Sequence, residues 1–192
     1  YNNVLLNGGL KMREGYKRKA TNNVIINNSL HPHVWYPESG DVFTNNIVFS
    51  AYKPAAMNRG MPVDAKWGSL LDSNFFVTNR KNMEKYRING CDYNSVLGNP
   101  DFINPVEGDY RVKKNSSVFE IGFKNFPMDN FGVVSEKLKA IAKTPELPTI
   151  IYNIDDSLGV SYQWLGATVK SVETQGEQSA AGLPSISGVI LL

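Results

Sequence analysis

The chain has 192 residues, 42% hydrophobic and 20% charged, which excludes a disordered tail and a coiled coil. Twenty basic and 18 acidic residues leave a net charge of +2, too even to imply nucleic acid or an anionic membrane as partner. No run of about 18 apolar residues occurs, so a spanning helix is excluded, and a single cysteine, Cys91, excludes an internal disulfide and a cysteine-based metal cluster.

The chain opens at Tyr1 directly on strand-like sequence, Val4-Leu5-Leu6, and reads as a piece of a longer protein. A motif of two asparagines followed by an aliphatic run then recurs. Asn2-Asn3-Val4-Leu5-Leu6 is followed by Asn22-Asn23-Val24-Ile25-Ile26 and Asn45-Asn46-Ile47-Val48-Phe49. A weaker copy is Ser73-Asn74-Phe75-Phe76-Val77. The copies start at 2, 22, 45 and 73, so the spacing widens from 20 to 23 to 28. Each copy suits a short strand between turns. Further strands are expected at 33–36 and 41–44.

Several short strands per repeat at this period predict a parallel β-helix. Asparagine suits its corners because it tolerates left-handed backbone and bonds to the same amide one coil away. The alternative is an antiparallel sandwich with asparagine-rich turns. In the solenoid, Val4, Val24 and Ile47 are expected at equivalent inward positions.

The densest polar and aromatic cluster lies between the second and third copies. Glu38 and Asp41 flank a turn beside His31, His33, Trp35 and Tyr36. Sugars stack on aromatic faces and bond to carboxylates, so Trp35, Tyr36 and His33 are the candidate carbohydrate-binding residues. Glycoside hydrolysis needs two carboxylates about 5 to 10 Å apart, which makes Glu38 and Asp41 the candidate catalytic pair. The bland alternative is a solvated loop whose aromatics cover the coil. Arg13, Lys17, Arg18 and Lys19 form a basic run that suits an anionic polysaccharide or a solvated face. His31-Pro32-His33 lacks a third ligand in sequence, so no metal is expected, nor any cofactor. Asp72 is read as setting the turn before Phe75, and Cys91 as a buried hydrophobe.

The next element, Gly98-Asn99-Pro100-Asp101-Phe102-Ile103-Asn104-Pro105-Val106-Glu107-Gly108-Asp109-Tyr110-Arg111-Val112, continues into Ser117-Val118-Phe119-Glu120-Ile121-Gly122-Phe123. This stretch resembles the closing segment of bacterial right-handed parallel β-helix proteins of the pectin-lyase-like superfamily. The resemblance implies a secreted, periplasmic or cell-surface carbohydrate-active protein that takes a polysaccharide or other glycan. It assigns no catalytic residue here. Physically, such a segment is expected to cover the strand edge left by the last coil.

Residues 135–143 form the one credible helix, with Ser135 as N-cap and Leu138, Ile141 and Ala142 on one side. Two prolines mark 143–148 as a linker. Charge and asparagine support this division. Residues 1–104 hold 17 asparagines and 12 basic against 8 acidic residues, whereas residues 149–192 hold one basic and four acidic residues.

The last segment carries Trp164-Leu165-Gly166-Ala167-Thr168-Val169-Lys170-Ser171-Val172, then Gln178-Ser179-Ala180-Ala181-Gly182-Leu183 and Gly188-Val189-Ile190-Leu191-Leu192. It resembles the first half of a PDZ domain. The resemblance implies that Leu165, Gly166 and Ala167 form a loop whose amides cradle the carboxylate of a C-terminal peptide, with Ala167–Val172 as the pairing strand. Ser187 departs from the acidic residue of that pattern, and the helix that would wall the groove is absent from the sequence. A small β appendage is the alternative.

The expected architecture is therefore all-β. It comprises right-handed parallel β-helix coils with a closing segment over 1–135, a short helix and linker over 136–148, and an incomplete PDZ-like module over 149–192. The expected function is the C-terminal part of a secreted carbohydrate-active protein, a glycoside hydrolase or polysaccharide lyase with its main catalytic site outside this chain. The alternative is a non-catalytic, adhesin-like scaffold whose last segment serves interaction.

Overall fold

The computed structural model describes residues 1–36, 38–57, 61–128, 132–143, 146–154, 162–165, 167–171 and 188–191. Two compact units divide between Ile154 and Asp155. The first therefore includes the helix and linker region that the sequence sets apart.

The first unit is a β-solenoid of about four turns. Its first sheet has the order β1 (Val4–Leu6), β4 (Val24–Ile26), β7 (Ile47–Val48), β9 (Phe75–Phe76) and β10 (Val96–Leu97). A second sheet pairs β2 (Leu10–Arg13) with β5 (Leu30–His33), and a bridge from His33 to Ala55 extends it. A third joins β3 (Lys19–Thr21), β6 (Val42–Thr44) and β8 (Leu70–Asp72). All these pairings are parallel, which rules out the antiparallel sandwich.

The corner before each first-sheet strand explains the paired asparagines. The first member, Asn2, Asn22, Asn45 or Ser73, has φ of 60°, 58°, 57° and 54°. Asparagine carries this left-handed geometry at low cost. The second member turns its amide along the solenoid. Asn3 Nδ2 donates to Asn23 Oδ1 at 2.9 Å, Asn23 to Asn46 at 2.8 Å, and Asn46 to Asn74 at 3.0 Å. Asn46 and Asn74 are fully buried, so the ladder satisfies groups that would otherwise be costly orphans.

Val4, Val24 and Ile47 do hold equivalent positions, but they face outward rather than inward. The register Val4–Val24–Ile47–Phe75–Val96 belongs to a second apolar cluster. The interior row is Leu5–Ile25–Val48–Phe76–Leu97, packed with Trp35, Phe43, Tyr52, Trp67 and Cys91. The first sheet is thus buried on both faces, and Val24, Ile25 and Ile26 are all inaccessible.

The outer cluster is supplied by the closing segment. Strands β11 (Phe102–Asn104) and β12 (Asp109–Val112) form an antiparallel hairpin through a 3-10 turn at Pro105–Glu107. Gly108 leaves that turn at φ 81°, where a side chain would be strained. Phe102, Tyr110, Val112, Val118, Ile121 and Phe123 cover the outer face of the first sheet. The segment therefore does more than close an edge.

Corner asparagines clamp it there. Asn22 donates to the Lys124 carbonyl at 2.9 Å and accepts from the Lys124 amide at 2.7 Å. Asn27 does the same with the Thr149 carbonyl and the Ile151 amide, both at 2.8 Å. Asn45 donates to the Ile121 carbonyl. The side-chain amides of Asn22 and Asn27 thus each pair with a distant backbone as a peptide group would.

Helix α1 (Arg80–Glu84), capped by Asn79, has no counterpart in the sequence reading. The helix expected over 135–143 is the short α2 (Glu136–Lys139). Leu138 and Ile141, expected on one side of it, are exposed.

The second unit contains β13 (Tyr162–Trp164), β14 (Ala167–Ser171) and β15 (Val189–Leu191), antiparallel in that order.

Candidate functional site

The polar and aromatic cluster maps to the outer face of the second sheet and the corner that follows it. Alternation along β2 and β5 turns Met12, Leu30 and Pro32 inward and leaves Lys11, Arg13, His31 and His33 on the outer face. Parallel register sets Lys11 against His31 and Arg13 against His33. The Lys53 amide bonds the Leu30 carbonyl at 2.9 Å, which continues the first row with Lys53 on the third coil.

His31 is fixed in place. Its Nε2 lies 2.8 Å from Asn28 Oδ1, which also accepts from Lys53 Nζ at 2.8 Å. Its ring lies over Gly9, where an added Cβ would come within 2.3 Å of Nε2. Partial burial, then Lys53 and Lys11, hold the imidazole below its ordinary pKa.

The chain next turns through Val34 at φ 48°, and the two aromatics part. Trp35 enters the core with 1% of its surface exposed. Its Nε1 donates to the Met12 carbonyl at 2.7 Å, and Arg18 lies 5.7 Å from its ring. Tyr36 stays outside and stacks on Tyr16 of the preceding coil, with centroids 5.3 Å apart and planes 17° from parallel. Tyr16 is 60% and Tyr36 36% exposed.

The two candidate acids have different surroundings. Glu38 is exposed at a left-handed corner. Asp41 is buried, and Arg18 binds it through Nε at 3.1 Å, Nη2 at 2.6 Å and its amide at 2.8 Å. That pairing locks the loop of one coil to the next.

Tyr16, Lys11 and Lys53 join the cluster although sequence reasoning did not place them there. The repeat contained the signal. The first coil offset of 20 carries Lys11 to His31 and Tyr16 to Tyr36.

A different carboxylate is the most perturbed. Asp92 is buried and accepts from Tyr52 at 2.8 Å and Ser95 at 2.7 Å. Burial pushes its carboxyl up to about 7. It ends the inner asparagine ladder, since Asn74 Nδ2 also reaches it at 3.4 Å. Among the described residues no group of three histidine, cysteine or acidic side chains could hold a metal ion.

In the second unit, Trp164 pairs with Ala167 across a tight turn. Leu165 sits at its tip with φ 49° and is exposed. Gly166 and Val172 lie outside the described residues. Strand β14, the candidate peptide-pairing strand, is central, with both edges occupied by β13 and β15. No helix of the described residues is long and apolar enough to cross a membrane. Comparison with family models, curated proteins and solved structures gives no match to this chain.

Proposed function

We propose that this chain is the glycan-binding part of a carbohydrate-active β-helix protein of the pectin-lyase-like kind, with catalysis carried outside these residues. The observation that carries the reading is the solvent-exposed Tyr16–Tyr36 stack at one corner of successive coils. Exposed aromatic rings held rigid by their neighbours lose little entropy on binding and offer apolar area to a sugar ring. Glu38, on the loop that carries Tyr36, and Lys17, on the loop that carries Tyr16, supply hydrogen-bonding groups. Secretion, to the periplasm or cell surface, belongs to the same proposal and rests on the closing-segment resemblance.

The catalytic part of the proposal is placed elsewhere because Asp41 is committed to Arg18. The same observation favours the second reading, a non-catalytic scaffold. A peptide-binding role for the last unit would require β14 to exchange a neighbour for the ligand.

The test is calorimetric titration of the chain with a panel of soluble polysaccharides, repeated with Tyr16→Ala and Tyr36→Ala. Binding to at least one polymer, weakened tenfold or more in either variant, is the expected result. Binding to none, or binding that both variants retain, would overturn the reading.

A further inference from the structure

The repeat is longest in the third coil, at 28 residues against 20 in the first. The chain between β7 and β8 there runs over 49–69, and the chain between β9 and β10 of the next coil runs over 77–95. Loops of this length exceed what the sheets need, and such loops commonly carry binding sites. A cleft of about 310 Å³ lies between these two, walled by Met57, Met61, Val63, Trp67, Tyr86 and Ile88. It shares no residue with the Tyr16–Tyr36 stack.

The walls are fixed before any ligand arrives. Buried Asn89 donates through Nδ2 to the Val63 and Ala65 carbonyls, both at 2.9 Å, and its own carbonyl accepts from the Trp67 amide at 3.0 Å. One loop is thus pinned to the other. The Trp67 and Tyr86 ring centroids lie 4.7 Å apart, and Tyr86 stacks in turn on buried Tyr52 at 6.1 Å. Such pre-organisation spares a ligand the cost of ordering these side chains. Val63 and Ile88 are nonetheless 85% and 67% exposed, and large aliphatic groups gathered at one apolar cleft mark a binding surface. Lys85 is the charged side chain of the wall among the described residues. Its ammonium lies 5.5 Å from the Tyr86 centroid, and it forms no salt bridge among the described residues. The adjacent Glu84 is engaged by Arg80 at 3.4 Å and by Arg87 at 3.2 Å, and exposed Asp64 is not part of the wall.

The geometry points to a binding site for a small aromatic monocarboxylate, with its ring among Met57, Met61 and Trp67 and its carboxylate at Lys85. Methionine sulfur and the edges of Trp67 and Tyr86 favour an aromatic ring over an alkyl chain. A single cation without a protein anion calls for one carboxylate, which it binds by a charge-assisted hydrogen bond. The volume stands at the lower end of the range for small-molecule sites, about 300 to 1,000 Å³. That suits one ring on a short side chain. The inference goes beyond the glycan reading and does not depend on it.

The test titrates the 192-residue chain, carrying isotope-labelled methionine methyl groups, with 3-phenylpropionate, its neutral amide and 3-cyclohexylpropionate. The methionines are Met12, Met57, Met61, Met83 and Met128, so the spectrum reports on the cleft and on the rest of the first unit separately. The variants are Lys85→Gln and Ile88→Gln, both at exposed positions, with matching circular dichroism and melting curves showing that each folds. The expected result is a Kd of about 1 mM or lower for 3-phenylpropionate, in keeping with so small a ligand. The Met57 and Met61 signals should move and the Met12 and Met128 signals should not. The amide should bind about fivefold more weakly, and Lys85→Gln should abolish that difference. Ile88→Gln should weaken both. No binding, or shifts confined to Met128, would overturn the proposal. So would an amide bound as tightly as the acid, or a cyclohexyl acid bound as tightly as the phenyl one. Dimerisation of the chain that Ile88→Gln abolishes would make a second copy the occupant and overturn it too.

Discussion

At the scale of single residues, two buried carboxylates show how differently the fold uses the same group. Asp41 is neutralised in place by Arg18, with three donors on its two oxygens. Asparagine there keeps the shape but removes the charge that Arg18 faces. Asp41→Asn is therefore expected to destabilise by about 2 kcal/mol or more, read by urea unfolding. No hydrolytic or lyase activity of this chain should depend on it. Polysaccharide turnover by the purified chain that Glu38→Gln or Asp41→Asn abolishes would instead make that pair an active site.

Asp92 has no such partner. Burial, with a smaller push from Asp72, outweighs its hydrogen bonds from Ser95, Tyr52 and Asn74 and raises its carboxyl to about 7. Its Oδ2 is buried without a partner among the described residues, which suits a protonated acid. In the unfolded chain the group titrates near 4. Between these values the folded state holds a proton that the unfolded state has lost. Asp92's contribution therefore makes stability fall as pH rises from about 4 to about 7, by up to about 1.4 kcal/mol per unit. His31 works the other way, since its lowered pKa costs stability as pH falls below about 6.5. The comparison is thus of Asp92→Asn with the parent chain across this range. Their stability difference should change with pH in that window and be flat above it. A constant difference would show that Asp92 is ionised in the folded chain throughout.

At the scale of elements, the first sheet separates what the sequence makes legible from what it conceals. The strands, their order and the corner asparagines follow from the recurrence at 2, 22, 45 and 73. Burial of both faces does not, because the outer cover comes from residues 102–128 and 150–154, far along the chain. The one local sign was the unbroken run Val24-Ile25-Ile26, which lacks the alternation of a half-buried strand. The candidate site was half legible for a similar reason. Trp35 and Tyr36 are adjacent and chemically alike, yet the corner at Val34 sends one inward and the other out. Composition could not choose between them, and only the coil offset pointed to Tyr16.

Two-sided burial gives a direct prediction. Ile25 belongs to the interior cluster and Ile26 to the outer one, and both are inaccessible. Ile25→Ala and Ile26→Ala should each cost about 2 to 5 kcal/mol by leaving a cavity. Denaturant titration of the two variants checks this. A cost under about 1 kcal/mol for Ile26→Ala alone would show that the closing segment does not cover that face.

At the scale of the whole molecule, the solenoid brings short loops from separate coils into one surface. Within the first unit, the first sheet is covered by the chain's own closing segment, whereas the second presents Lys11, Arg13, His31 and Lys53 beside the tyrosine stack. A ligand that spans coils would meet both features at once. Hydrogen–deuterium exchange of the chain with and without each polysaccharide of the titration panel locates that contact. Glycan binding at this face predicts added protection over residues 10–19, 30–41 and 53–55, with residues 102–128 unchanged. Protection confined to 102–128 or to the second unit, or none at saturating polymer, would contradict it.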